Sequence, residues 1–157
     1  MSLYITNNKK WQIGILLIPG YNMAEMAHIV EPLKVANHAL GRTVYDWRLF
    51  SLRGGALRSS CSMEMDTLPL SDNLALDRLD AMVVFAGRVE NIYELPLKGF
   101  TPPLTRLANN GTFLGGVGTG SFYLYRAGLL DNCRWTIDHH HLGGIRQQGA
   151  TPNHATF

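Results

Sequence analysis

The chain has 157 residues, a size typical of one compact domain with a substantial core and too small for two such domains. Hydrophobic residues make up 46% and charged residues 17% of the sequence, which disfavours disorder and a highly charged coiled coil. Fourteen basic and twelve acidic residues give a net charge of +2, and the arginines are scattered. We therefore expect these residues not to contact nucleic acid.

The cysteines and the apolar runs bear on the compartment. Cys61 and Cys133 lie far apart in the sequence without a CxxC spacing, which argues against a disulfide scaffold or a zinc knuckle. A single disulfide between these two cysteines stays possible. The apolar run at residues 13–18 is too short for a membrane span and lacks the cleavage pattern of a signal peptide. We predict a cytoplasmic chain without membrane contact.

The first half of the chain predicts two strands separated by a helix. Residues 12–18 form a nearly continuous apolar run, typical of a strand buried on both faces of a parallel sheet. A helix is predicted from Met23 to Gly41, broken or kinked at Pro32. Residues 47–52 are predicted as the second strand.

The second half repeats this alternation. Residues 67–78 are predicted as an irregular acidic loop, and residues 80–87 as a second buried strand that ends in glycine. Pro102-Pro103 is a typical helix start, residues 112–117 are predicted as a strand, and a further helix ends near Gly128. The alternation predicts an open α/β sheet with functional residues at the carboxyl ends of its strands.

The glycine-rich segment from Gly116 to Gly120 has three interpretations. It departs from the dinucleotide fingerprint G-x-G-x-x-G and lacks the lysine of a phosphate loop, so both nucleotide sites are disfavoured. It fits the nucleophile elbow, in which small flanks allow a sharp turn from strand to helix. The nucleophile position is then Gly118, which has no side chain to attack a carbonyl. We favour a former catalytic elbow, and a plain tight turn stays open as the alternative interpretation.

These segments together resemble the N-terminal domain of GlxA-like, AraC-type transcriptional regulators, whose fold is similar to the ThiJ/PfpI and class I glutamine amidotransferase superfamily. The resemblance is carried by IGILLIPGYNMAEMAHIVEPLKVAN (13–37), by YDWRL (45–49), by residues 82–87 and by LGGVGTGSFYLYRAGLLDNCRWT (114–136). It implies a flavodoxin-like three-layer α/β sandwich with a mostly parallel sheet. It also implies that residues 1–157 are an effector-sensing domain, incomplete at its C-terminal end, and that a helix-turn-helix domain outside this chain binds DNA.

The resemblance also assigns site residues. Catalytic relatives place a cysteine in the elbow and commonly a histidine after the Arg-x-Thr segment, whereas the matched positions here are Gly118 and Asp138. We therefore predict that the domain is not an enzyme. The acidic residue near the elbow is matched to Glu31, which is otherwise a solvated carboxylate, and Asp138 is otherwise the N-cap of a helix.

Further ligand-binding candidates flank the predicted strand ends. Arg88 follows Gly87 and is suited to an effector carboxylate or to a surface ion pair, and Thr119 follows the elbow glycine. His139 begins a run of three histidines. Successive residues of a helix point about 100° apart, so this run cannot serve one ion, and a helix start is favoured. We predict neither a metal nor a cofactor.

The sequence therefore predicts a non-catalytic, small-molecule-sensing and dimerising domain of a bacterial AraC-type regulator. The expected effector is an amino acid, an amine or a betaine, and the expected assembly is a homodimer. The alternatives are an amidase, a glyoxalase-like or a hydratase-like enzyme that uses Glu31 as acid or base, and a purely structural dimerisation module.

Overall fold

The computed structural model describes residues 9–87, 97–147 and 149–152. Strands and helices alternate along most of the chain. Their order is β1 (Trp11–Leu17), α1 (Met23–Ala39), β2 (Tyr45–Ser51), β3 (Gly55–Arg58), β4 (Glu64–Pro69), α2 (Asn73–Leu76), β5 (Ala81–Ala86), α3 (Leu97–Asn109), β6 (Phe113–Gly118), α4 (Gly120–Arg126) and α5 (His139–Gln147). Among the described residues, no helix is both long and apolar enough to cross a membrane.

The six strands form one sheet in the order β3-β4-β2-β1-β5-β6. All neighbouring pairs are parallel except the antiparallel hairpin of β3 and β4. The chain leaves the central strand β1 first towards β2 and later towards β5, so the strand order reverses at β1. The mostly parallel sheet and the three-layer α/β fold confirm the predicted fold class.

The sheet separates two hydrophobic layers. On one face, Ile15 and Leu17 of β1 pack with Met26 of α1. On the other face, Leu16 of β1 belongs to a larger cluster that contains Phe100 of α3 and residues of α2, α4 and α5. Neighbouring residues of β1 thus enter opposite layers, which is why its sequence is apolar without alternation. Each such buried side chain contributes roughly 1.5–3 kcal/mol.

Three predicted boundaries differ from the structure. Helix α1 is continuous through Pro32, so the predicted break is not found. Pro32 has no N–H to donate to the His28 carbonyl. Both residues are exposed, so water can replace the missing hydrogen bond. The predicted start of α3 at Pro102 is wrong, because the helix begins at Leu97. Pro102 has no N–H to donate to the Lys98 carbonyl, and Lys98 lies on an open surface groove.

The predicted loop at residues 67–78 is also wrong, because it contains the end of β4 and all of α2. The acidic residues of this range, Asp72 and Asp77, flank α2, and the Asp72 side chain caps the helix by accepting from the Ala75 N–H. The buried side of the strand is anchored by Thr67, whose hydroxyl lies 2.7 Å from the Ser51 hydroxyl of β2. β4, which lies between β3 and β2 in the sheet, therefore has one anchored face and one solvated face on which Glu64 and Asp66 are exposed.

The amino ends of the central strands are joined by polar contacts. The Asp80 carboxylate accepts a 2.8 Å hydrogen bond from the Gln12 N–H and lies 2.7 Å from Lys9 Nζ. The Asp80 carbonyl accepts from the Phe113 N–H at the start of β6. Asn37 of α1 accepts from two N–H groups before and at the start of β2 and donates to the Tyr45 carbonyl. Every one of these carboxyl and amide groups has partners.

Candidate functional site

A cavity of about 190 Å³ opens at the carboxyl edge of the sheet, where the segments after β1, β5 and β6 meet. This is the edge at which open α/β sheets bind ligands, close to the point where the strand order reverses. The cavity is lined by Gly20, Asn22, Glu25, Ser60, Ala86, Gly87, Gly118, Thr119, Asp138 and His141.

The turn from β6 to α4 has the sharp geometry that its glycine spacing predicts. Gly118 adopts φ +60°, a left-handed conformation that favours glycine. A Cβ on Gly116 would overlap the backbone of Ser121, and a Cβ on Gly120 would overlap the Val84 carbonyl oxygen of β5. Close backbone packing therefore requires glycine at both flanks of the turn.

The carboxyl group of Glu25 fills the space beside Gly118. A Cβ built on Gly118 would lie 2.5 Å from Glu25 Oε2 and 3.2 Å from Glu25 Cδ. That space is where the side chain of an elbow nucleophile would project. A carboxyl group from α1 therefore occupies the position that a thiol or hydroxyl would need.

Glu25 lies in the first turn of α1, next to the helix cap Asn22. The side-chain Oδ1 atom of Asn22 accepts from the N–H of Glu25, and the side-chain amide of Asn22 donates to Glu25 Oε1 over 3.3 Å. Glu25 Oε2 is buried and has no hydrogen-bond partner among the described residues. Burial raises the pKa of Glu25. The hydrogen bond from the Asn22 amide and the charge of His141 lower this pKa, and the charge of Asp138 raises it. Burial has the largest effect, so the pKa of Glu25 is raised overall.

Asp138 stands at the start of α5 on the other side of the cavity. Its Oδ1 atom accepts from the His140 N–H over 2.9 Å and lies 2.8 Å from His140 Nδ1. The Asp138 carbonyl accepts from the His141 N–H. These contacts confirm the predicted helix cap, and His141, in the turn that the cap starts, lines the cavity.

The cavity wall formed by the ends of β5 and β6 is tightly fixed. The buried Thr119 hydroxyl donates to the Gly87 carbonyl over 2.5 Å. A Cβ on Gly87 would overlap the Gly20 carbonyl oxygen after β1. The three strand ends are therefore in close contact, and this wall is held by contacts within the chain.

The structure brings together four of the residues proposed from the sequence, namely Gly87, Gly118, Thr119 and Asp138. It does not bring Glu31 to the cavity, because the Glu31 side chain is 59% exposed and pairs with Lys34. Arg88 and the side chain of His139 lie outside the described residues.

Six lining residues were not proposed from the sequence, namely Gly20, Asn22, Glu25, Ser60, Ala86 and His141. A signal for Glu25 was present, because the first helical turn after β1 must lie at the carboxyl edge of the sheet. Glu31 is six residues further along α1, about 9 Å along the helix axis.

Comparisons with known proteins identify relatives among transcription regulators. The chain is 40% identical over 131 residues to the HTH-type transcriptional regulator CdhR of Pseudomonas aeruginosa, covering 78% of this chain and 35% of the relative. It is 30% identical over 148 residues to the HTH-type transcriptional regulator GlxA of Rhizobium meliloti, covering 93% of this chain and 45% of the relative. The chain thus spans between a third and a half of these relatives. No protein-family model matches it.

Solved structures agree with this relationship. An AraC family transcriptional regulator from Pseudomonas putida superposes with a TM-score of 0.72 at 25% identity, covering 88% of this chain and 72% of that one. A ThiJ/PfpI domain protein from Brachyspira murdochii superposes with a TM-score of 0.66 at 17% identity, covering 93% of this chain and 80% of that one. The resemblance predicted from the sequence is confirmed: the chain has the ThiJ/PfpI fold and is homologous to part of the AraC-type transcriptional regulators.

Proposed function

We propose that this chain is the small-molecule-sensing domain of a transcription regulator and that the effector binds in the cavity beside Gly118. The observation that carries the proposal is the polar cavity at the strand ends of a chain homologous to regulators. Its volume of about 190 Å³ suits a metabolite of a few heavy atoms. Amino acids, amines and betaines are the proposed classes.

The elbow supports sensing over covalent catalysis. Gly118 offers no nucleophile, and the Glu25 carboxyl takes the space of one. The Asp138 carboxylate, which stands at the position matched to the catalytic histidine of the superfamily, caps α5 instead. The remaining groups of the cavity are suited to hydrogen bonding and to binding charge.

In the whole regulator, we propose that this domain forms a cytoplasmic homodimer and that a separate C-terminal helix-turn-helix domain binds DNA. An effector regulates only through a difference in its affinity for two conformations. Asp138 and His141 tie the cavity to the start of α5. Movement of α5 relative to the strand ends is the route that we propose for this coupling.

The proposal is tested by a thermal-stability screen with amino acids, amines and betaines. A ligand present at a hundred times its Kd adds about 2.7 kcal/mol, which raises the Tm of a domain of this size by roughly 5–10 °C. Ser60→Trp should fill the cavity and abolish that rise. The control Met63→Trp, on the same hairpin tip but outside the lining, should keep it. A screen without any hit, or a rise that survives Ser60→Trp, contradicts the proposal.

One observation favours a second candidate function, acid–base catalysis without an elbow nucleophile. Glu25 has a raised pKa and lines the same cavity as His141, a combination suited to proton transfer. Turnover of amide or dicarbonyl substrates that Glu25→Gln abolishes would establish this enzyme. Absence of turnover leaves the sensor in place.

A further inference from the structure

We infer that Ser121 of α4 is a positioning residue for the effector cavity, although the structure does not place it among the described lining residues. A hydrogen bond from Ser121 and a ring stack beside it hold residues 135–136 against α4, and we call these two contacts the α4 clamp. The clamp sets where Asp138 and His141 stand at the cavity. The inference rests on the proposed function, since it names what shapes the same cavity for its effector.

The first contact of the clamp joins the start of α4 to the chain just ahead of α5. The Ser121 hydroxyl donates to the Thr136 carbonyl over 2.8 Å, and Ser121 is buried. Thr136 lies two residues before Asp138, and two residues of an extended chain span at most about 7 Å. A displacement of Thr136 is therefore passed on to Asp138.

The second contact of the clamp is a stack of aromatic rings on the same helix. The Trp135 ring stacks on Tyr125, with 4.9 Å between the ring centroids and 25° between the ring planes. Tyr125 stacks in turn on Phe122, which is buried in the core. Stacked aromatic pairs stabilise a fold beyond the burial of their surface. The stack therefore holds residue 135 to α4, directly beside the hydrogen bond at residue 136.

Ser121 is fixed to the sheet by the glycines of the elbow turn. A Cβ on Gly116 would overlap the backbone of Ser121, and a Cβ on Gly120 would overlap the Val84 carbonyl oxygen. The start of α4 thus packs closely on β6 and β5, which gives the Ser121 hydroxyl a fixed position relative to the strand ends. The turn that has glycine at its nucleophile position therefore still places the opposite wall of the cavity.

The segment that the clamp holds comes directly after an exposed stretch of chain. Residues 131–134 are all exposed, whereas Ile137 is buried in the core. The position of Asp138 is therefore set by residues 135–137, of which two are held by the α4 clamp and the third by the core. The clamp thereby fixes one of the two positions of α5 that the proposed coupling requires.

The test removes the hydroxyl of Ser121 and compares the result with a matched loss elsewhere. In Ser121→Ala, we expect the ¹⁵N order parameters of the Asp138 and His141 amides to fall from the rigid range, about 0.85, to below about 0.6. Ser51→Ala also removes a buried hydroxyl with a hydrogen bond, but on β2 and away from α5. This control should leave both order parameters unchanged, which separates positioning from a general loss of stability.

The same variants are then titrated calorimetrically with the amino acid, amine or betaine that raises the Tm most in the thermal-stability screen. Ser121→Ala should bind it about three- to tenfold more weakly, as the loss of one hydrogen bond implies. Ser51→Ala should bind it as the unmodified chain does.

A second pair of variants tests the ring stack and keeps the inference testable if Ser121→Ala does not fold. Trp135→Leu removes the ring at a partly exposed position and should loosen the same two amides, whereas Trp135→Phe keeps a ring and should not. Unchanged order parameters in Ser121→Ala and Trp135→Leu, an equal fall in Ser51→Ala, or unchanged affinity would overturn the inference. Absence of binding to the unmodified chain would overturn the proposed function instead, and the order parameters would still decide whether the clamp positions α5.

Discussion

Carboxylates at the two ends of the parallel sheet lie in opposite environments. At the amino end, burial raises the pKa of Asp80, but the Gln12 N–H and Lys9 outweigh this effect and the pKa is lowered. At the carboxyl end, burial dominates at Glu25 and the pKa is raised. Asp80 is satisfied by the fold, whereas one oxygen of Glu25 lacks a partner among the described residues. The difference separates a carboxylate that the fold provides with donors from one that the fold leaves partly without them.

The largest expected effect is at the tightly packed carboxyl end. Gly120→Ala places a methyl group against the Val84 carbonyl, and we expect a loss of about 3 kcal/mol and a Tm lowered by roughly 6–12 °C. Gly115→Ala in β6 is the matched control, because nothing lies within 4 Å of its Cβ. Equal Tm values for the two variants would show that the turn is not closely packed.

At the amino end, Asn37→Ala is expected to cost about 2 kcal/mol. The change removes three hydrogen bonds and leaves the N–H groups of Val44 and Tyr45 without their acceptor. Urea denaturation measures the loss. As a control, His38→Ala at the exposed neighbouring position should change stability by less than about 0.5 kcal/mol. A loss in this variant as large as in Asn37→Ala would assign the effect to the helix rather than to Asn37.

Asp80→Asn should lower the free energy of unfolding by about 1 kcal/mol at pH 7. The loss is small because Lys9 is partly exposed, which limits the contribution of the ion pair. Since the folded-state pKa is below the ordinary 3.8, the stabilisation is complete above pH 3.8 and is lost as the pH falls through the lower value. Denaturation at pH 7 and at pH 3 should therefore give a smaller difference at pH 3. A difference that is no smaller at pH 3 than at pH 7 would contradict this role of Asp80.

Glu25→Gln should have the smallest effect and the opposite sign. The folded protein binds the Glu25 proton more tightly than the unfolded chain, so ionisation weakens the fold as the pH rises through the raised pKa. The variant should therefore be more stable at pH 7, by less than about 1 kcal/mol after solvent screening, and equal to the wild type below pH 4.5. Destabilisation at pH 7 would mean that Glu25 belongs to the scaffold.

The buried strands were predictable because their apolar runs are continuous. β1 and β5 are flanked on both faces by hydrophobic layers, and this burial leaves a direct trace in the sequence. β4 was missed because one of its faces is solvated and acidic. The glycine spacing around Gly118 predicted the turn. The reason is steric, because a Cβ at Gly116 or Gly120 would overlap neighbouring backbone atoms.

The acidic site residue was harder to predict. Glu25 and Glu31 lie on one helix, and sequence alone does not state which of them reaches the strand ends. The cap at Asn22 fixes where α1 begins, and this start places Glu25 at the cavity and Glu31 in solvent beside Lys34. His141 depended on the direction of α5, which follows from the tertiary packing of Ile137 and Ile145 in the core and not from the local Asp138 cap.

We propose that the carboxyl end of the sheet binds a small molecule and that the amino end does not. A ¹H–¹⁵N NMR titration of the chain with ligands from the thermal screen distinguishes the two ends. We expect saturable shifts at the amides of Gly20, Gly87, Gly118 and Thr119, and none at Gln12, Asp80 and Phe113. Shifts confined to the amino end, or of equal size at both ends, would contradict it.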